Sequence, residues 1–281
     1  PLTASWFNQP LNVDFSTKEG AKAYQVAVNL NGNWQPAKTG VLPAAVNEAL
    51  SGSVAWDGKV GIDLPYHAGA TYNVELNGDL KNVSSHLPSP LAKPAGEPLP
   101  VNVKVDGNLN SFELTGQAGA DNHFNSRWLL GQKLTLDRAI WAADSKTLPP
   151  LPEQSGVELN MPPMNGAEWL ALFQKGAAES VGGAASFPQH ITLRTPMLSL
   201  GNQQWNNLSI VSQPTANGTQ VEAQGREINA TLAMRNNAPW LANIKYLYYN
   251  PSVPKTHGDS TNSSPFPTTE RVSFRGWPDA Q

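Results

Sequence analysis

The residues best suited to chemistry in this chain do not stand where chemistry would need them. Its five histidines, His67, His86, His123, His190 and His257, are scattered, and no two share an HxH or HxxxH spacing. Paired imidazoles on one strand or helix face are what a zinc site recruits first. These five read instead as solvated loop histidines, and no metal site is expected. There are no cysteines, which removes disulfides, thiolate ligands and cysteine nucleophiles together. Gly-x-Ser-x-Gly, the P-loop and the dinucleotide fingerprint are all absent. Acidic residues fall at outward strand positions or in turns, and no pair stands out as the two facing carboxylates of a glycosidase. The reading is therefore non-enzymatic, with no catalytic residue and no cofactor.

The nine tryptophans admit two readings. Paired surface indoles stack on sugars, whereas large rings within strands more often pack. Trp6, Trp34, Trp56, Trp128, Trp141 and Trp205 lie in or beside strand-like segments, which favours packing. Sequons at Asn82, Asn207, Asn217, Asn229 and Asn262 carry little weight in a chain so rich in Asn, Ser and Thr.

The elements that would position these residues are mainly β. Apolar residues recur at every second position in 24–30, 54–56, 72–76 and 101–105, which gives each segment one dry face. Each run ends at Asn31-Gly32, Asp57-Gly58, Asn77-Gly78 or Asp106-Gly107, and these pairs predict type I′ hairpin turns. Further strands are expected at 2–7, 11–15, 52–64, 70–80, 188–235 and 269–275, with a four-strand meander over 99–142. Arg138 falls at inward parity after Leu134 and Leu136, a poor place for a charge unless it lies at a rim.

Two helices are expected. A short one opens at Pro43 and stops at Gly52. A better one has Asn165 as cap, Glu168 as capping-box partner and Met164 stapled to Trp169. Trp169, Leu172 and Phe173 form its apolar face, and Gly182-Gly183 end it. It is expected to pack on the sheet rather than to plug it. The proline-rich stretch 87–100 is too apolar for a free linker and predicts an ordered crossing, whereas 250–268 predicts a mobile loop.

Charged residues make up only 15% of the chain and the net charge is −3, so nothing favours nucleic acid as a partner. No apolar run approaches the roughly 18 residues that span a bilayer. The chain opens at Pro1 without a signal-peptide pattern and reads as a piece of a longer polypeptide. One continuous segment over 1–281 is expected, with 98/99 as the place for a boundary between sub-units 1–98 and 99–281.

Three stretches carry a specific resemblance: Leu2–Pro10 (LTASWFNQP), residues 87–99 (LPSPLAKPAGEPL) and residues 165–173 (NGAEWLALF). They closely resemble segments of the AsmA-like envelope proteins of Gram-negative bacteria, and the likeness extends across all 281 residues. The resemblance implies a long, strongly twisted antiparallel sheet bent into an open apolar groove, with one or two short helices. It also implies a parent anchored in the inner membrane with its bulk in the periplasm. The implied partners are phospholipid, carried between inner and outer membranes in support of the outer-membrane barrier, and envelope proteins at the ends of the parent chain.

On that footing the groove wall is expected at Val26, Val28, Leu30, Val74, Leu76, Val101, Val103, Val105, Phe112, Leu114, Trp128, Leu130, Leu134, Leu136, Ile191, Leu193, Leu208, Ile210, Ile228 and Leu232. Parity alone leaves a second architecture open. Strands of 99–142 and 188–235 could close face to face into a periplasmic β-sandwich around a dry core, binding envelope polysaccharide or protein at its Trp-bearing edges.

Overall fold

The computed structural model describes residues 2–40, 42, 44–177 and 185–252. Several expectations lie outside them: Pro43 as a helix start, Gly182-Gly183 as a stop, His257, the strand 269–275 and all but 250–252 of the predicted loop. The Phe173 side chain also lies outside. Residues Pro1–Pro251 form one compact unit, and Ser252–Gln281 group separately.

The alternation of apolar and polar residues becomes strands β1 (Leu2–Trp6), β2 (Gln9–Glu19), β3 (Ala23–Trp34), β4 (Leu50–Gly52), β5 (Val54–Pro65), β6 (Thr71–Asp79) and β7 (Val83–Ser85). The expected meander follows as β8 (Pro100–Asn108), β9 (Ser111–Ala118), β10 (Asn122–Leu129) and β11 (Leu134–Ala143). Short strands β12 (Gly156–Asn160), β13 (Met164–Asn165) and β14 (Ala185–Ser186) come next. The series ends with β15 (Ile191–Leu200), β16 (Gln203–Thr215), β17 (Gly218–Gln224), β18 (Ile228–Arg235) and β19 (Leu241–Leu247). Two α-helices interrupt it, α1 (Ala44–Asn47) and α2 (Gly166–Ala177).

Seventeen of these strands share one sheet, and β4 pairs with β7 in a small separate one. From β1 to β11, each sheet strand pairs antiparallel with the next, and β15 to β19 do the same. The two runs are joined through parallel ladders, β11 to β12 and β12 to β15. Residues 99–142 and 188–235 therefore lie side by side in one sheet and do not close face to face as a sandwich. Among the described residues the outermost strands β1 and β19 do not pair with each other, so the sheet is open.

All four predicted Asx-Gly turns lie inside strands instead: Asn31-Gly32 in β3, Asp57-Gly58 in β5, Asn77-Gly78 in β6 and Asp106-Gly107 in β8. The physical reason is visible in the register. Each glycine stands across from a large side chain on one face: Gly32 and Gly78 flank Trp56, Gly58 meets Leu76, and Gly107 meets Phe112. A Cβ at Gly58 would come within 2.6 Å of Leu76 Cδ2. The Asx partners face the other way, into a cross-strand polar row in which Asn12 bonds Asn31 at 2.9 Å and Asn102 bonds Asn77 at 2.7 Å. Glycine in a strand marks close approach here, not a reversal. Two-residue turns with positive φ at both positions occur at Phe7-Asn8 and Gly201-Asn202.

A bulge corrects the placing of Arg138. Arg127 pairs with Arg138 but Trp128 pairs with Leu136, so Asp137 is an extra residue in β11. Parity flips there. Arg138 therefore lies on the polar face, where Nε meets Asp137 Oδ2 at 3.2 Å and Nη1 donates to Pro152 O at 3.2 Å. His123 is a second correction: it is buried in β10, not a solvated loop residue, and its Nδ1 pairs with Ser145 O at 2.7 Å.

Helix α2 is capped as expected. Asn165 Oδ1 accepts from the N–H groups of Ala167 (3.1 Å) and Glu168 (3.4 Å), and Asn165 Nδ2 donates to Glu168 Oε1 at 3.0 Å. Asn165→Ala should lower stability by about 1 kcal/mol, read as a fall in the denaturant midpoint at unchanged slope.

Candidate functional site

Residues opposite one another in a ladder share a face, so the register traces that face across the sheet. One row runs Phe15, Val28, Val60, Val74, Val105, Leu114, Ser126, Ala139, Val157, Ile191, Ser212, Val221, Leu232 and Ala242. Beside it runs Val13, Leu30, Gly58, Leu76, Val103, Gly116, Phe124, Trp141, Leu159, Leu193, Ile210, Ala223, Ala230 and Ile244. Neither row contains a charge, and the second contains no polar side chain. Lys59, Glu75, Lys104, Asp106, Glu113 and Arg127 all project from the opposite face.

The face is concave over β1–β8. Trp6, Leu30, Trp56, Leu76 and Val103 line one cavity of about 350 Å³, in which Asn77 is the one polar lining residue. In a flat sheet β1 and β8 would stand about 24 Å apart, at about 4.8 Å per strand. Side chains from both can border one cavity only if the sheet bends toward this face. Aromatic rings pave part of the bend. Trp34 lies 4.9 Å from Trp56 and 6.1 Å from Trp6 by ring centroids, and Phe112 stacks on Trp128 at 6.0 Å. Trp6, Trp34, Trp56 and Trp128 thus pack along the trough.

Protein covers little of this surface. Among the described residues no large side chain is less than 2% exposed. The chief buried cluster, around Met161, Met164, Leu198 and Leu208, lies where Trp169 of α2 settles beside Trp141, Leu193 and Trp205. Elsewhere the trough residues are half-buried, and toward the outer strands they are exposed: Leu2 by 61% and Ile244 by 53%.

Nearly all of the expected wall residues fall on this one face. Leu130 differs: it lies past the end of β10, in a turn closed by its own N–H on Asn110 O. Sequence reasoning missed Val54, Trp56, Val60 and Ile62, although residues 54–64 alternate without a break. A turn at Asp57-Gly58 would divide this strand, which in the structure runs unbroken from Val54 to Pro65. Phe124, Trp141 and Leu159 were also missed, the last two because they sit beyond the bulge or in a short parallel strand.

Two titratable groups register their surroundings. Burial pushes the Tyr72 phenol, on the trough face, above its ordinary value. Glu227 is raised by burial, but hydrogen bonds from Asn206 Nδ2 (2.8 Å) and the Asn206 N–H (2.7 Å), with Arg226 nearby, leave it below its ordinary value. A carboxylate lowered in the folded state stabilises above its unfolded pKa, and that contribution fades as pH falls through the folded value. Glu227→Gln should therefore flatten this acid limb in melting curves taken from pH 6 downward to about 3.

No histidine, carboxylate or cysteine cluster that could hold a metal occurs among the described residues. Nor does any described helix have the length and apolarity to cross a membrane. An open sheet whose concave face carries two uncharged rows is a trough-forming wall, a class distinct from closed barrels and sandwiches. The chain belongs to the YhdP protein family, whose model matches residues 1–281. It is 97% identical over 281 residues to the intermembrane phospholipid transporter YhdP of Escherichia coli (strain K12), and it spans 22% of that protein's length. No solved structure matches the chain.

Proposed function

We propose that this chain is a stretch of wall in a conduit that binds phospholipid acyl chains and carries phospholipid between the inner and outer membranes. The observation that carries the reading is the pair of uncharged rows running from β2 to β19 with little protein to cover them. Exposed apolar surface on this scale marks a binding surface, and each methylene buried there contributes about 0.8 kcal/mol. A wall without charges also suits movement, because an acyl chain sliding along it meets no deep trap. The chain's part is to bind and guide, with no bond made or broken.

The setting is the periplasm, within a longer protein held at the inner membrane and meeting other envelope proteins at its ends. The relative's name as an intermembrane phospholipid transporter and the chain's 22% share of its length both support this chain being one section of the path. Native mass spectrometry of the purified chain, with lipid extraction from the same sample, is the test. Bound phospholipid is expected. A lipid-free, stable protein would overturn the reading.

A further inference from the structure

The face opposite the trough carries a groove of its own. After β11 the chain turns back along this face as residues 144–155 and then enters β12. Three bonds hold that return segment over β10 and β11. Asn125 Nδ2 donates to Pro149 O at 3.1 Å, Arg138 Nη1 to Pro152 O at 3.2 Å, and Ser155 Oγ to Asp137 O at 2.8 Å. Pro149, Pro150 and Pro152 stiffen it, because each ring fixes its own φ.

Between this proline wall and β15 lies a cavity of about 590 Å³. Ile140, Glu158 and Thr192 follow one another across its floor from β11 to β15, and Asn160 and Arg194 form the next pair along. Two polar groups of the floor have no protein partner. Asn160 Oδ1 is buried and unpaired. Thr192 is only 7% exposed, and its hydroxyl has no hydrogen-bond partner among the described residues. Buried polar groups are nearly always bonded, so an unpaired pair on one floor points to a ligand that bonds them.

The chemistry of the lining narrows what that ligand is. Glu158 Oε2 lies 3.5 Å from Arg194 Nη1, which leaves the middle of the floor close to neutral and favours an uncharged group there. A primary amide complements a peptide group, since Oδ1 accepts an N–H and Nδ2 donates to a C=O. From Gly156 to Asn160 the floor runs about 13 Å at about 3.3 Å per residue, room for about four extended residues. Ile140, Leu151 and Pro152 give one apolar side chain a seat midway. The ends differ in charge: Arg194 stands beside Asn160 at one, and Glu153 borders the other, next to Gly156.

We propose that this groove binds an extended peptide segment of a partner protein. Asn160 and Thr192 hold its backbone, Ile140 seats an apolar side chain, and Arg194 meets an acidic residue at one end. Because the site faces away from the trough, it tethers the wall to a partner and leaves the trough free. It does not depend on the acyl-chain reading above.

The probes are acetyl-Lys-Ala-Leu-Ala-Asp-amide and its reversed sequence, acetyl-Asp-Ala-Leu-Ala-Lys-amide, with acetyl-Lys-Ala-Leu-Ala-Lys-amide as the peptide without an acid. Each is titrated into the isotope-labelled chain, and amide shifts are followed by two-dimensional NMR. One of the first two is expected to saturate, with shifts confined to residues 151–160 and 190–194, and which one binds gives the backbone direction. Asn160→Ala should weaken that binding about tenfold, the scale of one or two lost hydrogen bonds. Arg194→Glu changes a side chain that is 53% exposed, so the fold is kept, and it should turn the preference toward the Lys-Lys peptide. Phospholipid content by native mass spectrometry should stay the same in both variants. Absence of shifts at millimolar peptide, or shifts at Val74 and Val103 in the trough instead, would overturn the inference and leave the conduit reading standing. Binding that neither variant alters would be adventitious and would overturn it too. If Asn160→Ala fails to fold, the change of preference in Arg194→Glu decides by itself.

Discussion

Val103→Asp is expected to abolish phospholipid occupancy while leaving the sheet folded. Val103 stands between Leu76 and Gly116 in the wholly apolar row and lines the cavity beneath Trp56. In the empty trough a carboxylate there keeps its water, because the site opens to solvent and the position is only half-buried. With a lipid bound, that water has to go, and an unpaired buried carboxylate is strongly unfavourable. Displacing about four methylenes from contact would remove about 3 kcal/mol, or roughly two orders of magnitude in affinity.

Leu114→Asp, in the neighbouring row, should act in the same way. Thr115→Glu, across from Lys104 on the polar face, should leave lipid occupancy unchanged. Lipid per protein by native mass spectrometry, with circular dichroism on the same samples, measures both quantities. If Val103→Asp and Leu114→Asp unfold the chain, these residues are core and the trough assignment to them is wrong.

Gly116→Ala is expected to be the most destabilising single methyl that could be added to the trough floor. A Cβ at Gly116 would fall inside the Phe124 ring across the β9–β10 ladder, so the ring must swing away from its place. Overpacking of this kind lowers stability by about 1–3 kcal/mol. Phe124→Leu in the same chain should recover much of the loss, because the two side chains compete for one volume. Denaturant midpoints of the two single variants and the double variant give the coupling directly. Additive effects would mean that the ring relaxes freely and that Gly116 is glycine for another reason.

Both expectations rest on features with very different legibility in the sequence. The alternation that puts Val26, Val28 and Leu30 on one face was readable because side-chain direction in a strand has period two and needs no partner to define it. So was the cap of α2, since Asn165 and Glu168 act within one turn of chain. The Asx-Gly pairs misled for a local reason. Asn and Gly together satisfy the demands of a type I′ turn, and equally those of a strand with a polar outer face and a large neighbour opposite the glycine. Only the register distinguishes the two, and register is set by contacts with another strand.

The sequence by itself determined a β chain with one uncharged face, the absence of cysteine chemistry, and the helix that begins at Asn165. The tertiary structure decided the rest: that residues 99–142 and 188–235 share one open sheet joined through the parallel strand β12, and that a single extra residue at Asp137 turns Arg138 outward. Periodicity is a property of one strand, whereas pairing order, bulges and crossovers belong to pairs of strands distant in sequence. The same alternating pattern can therefore line a closed core or an open trough, and pairing order decides which.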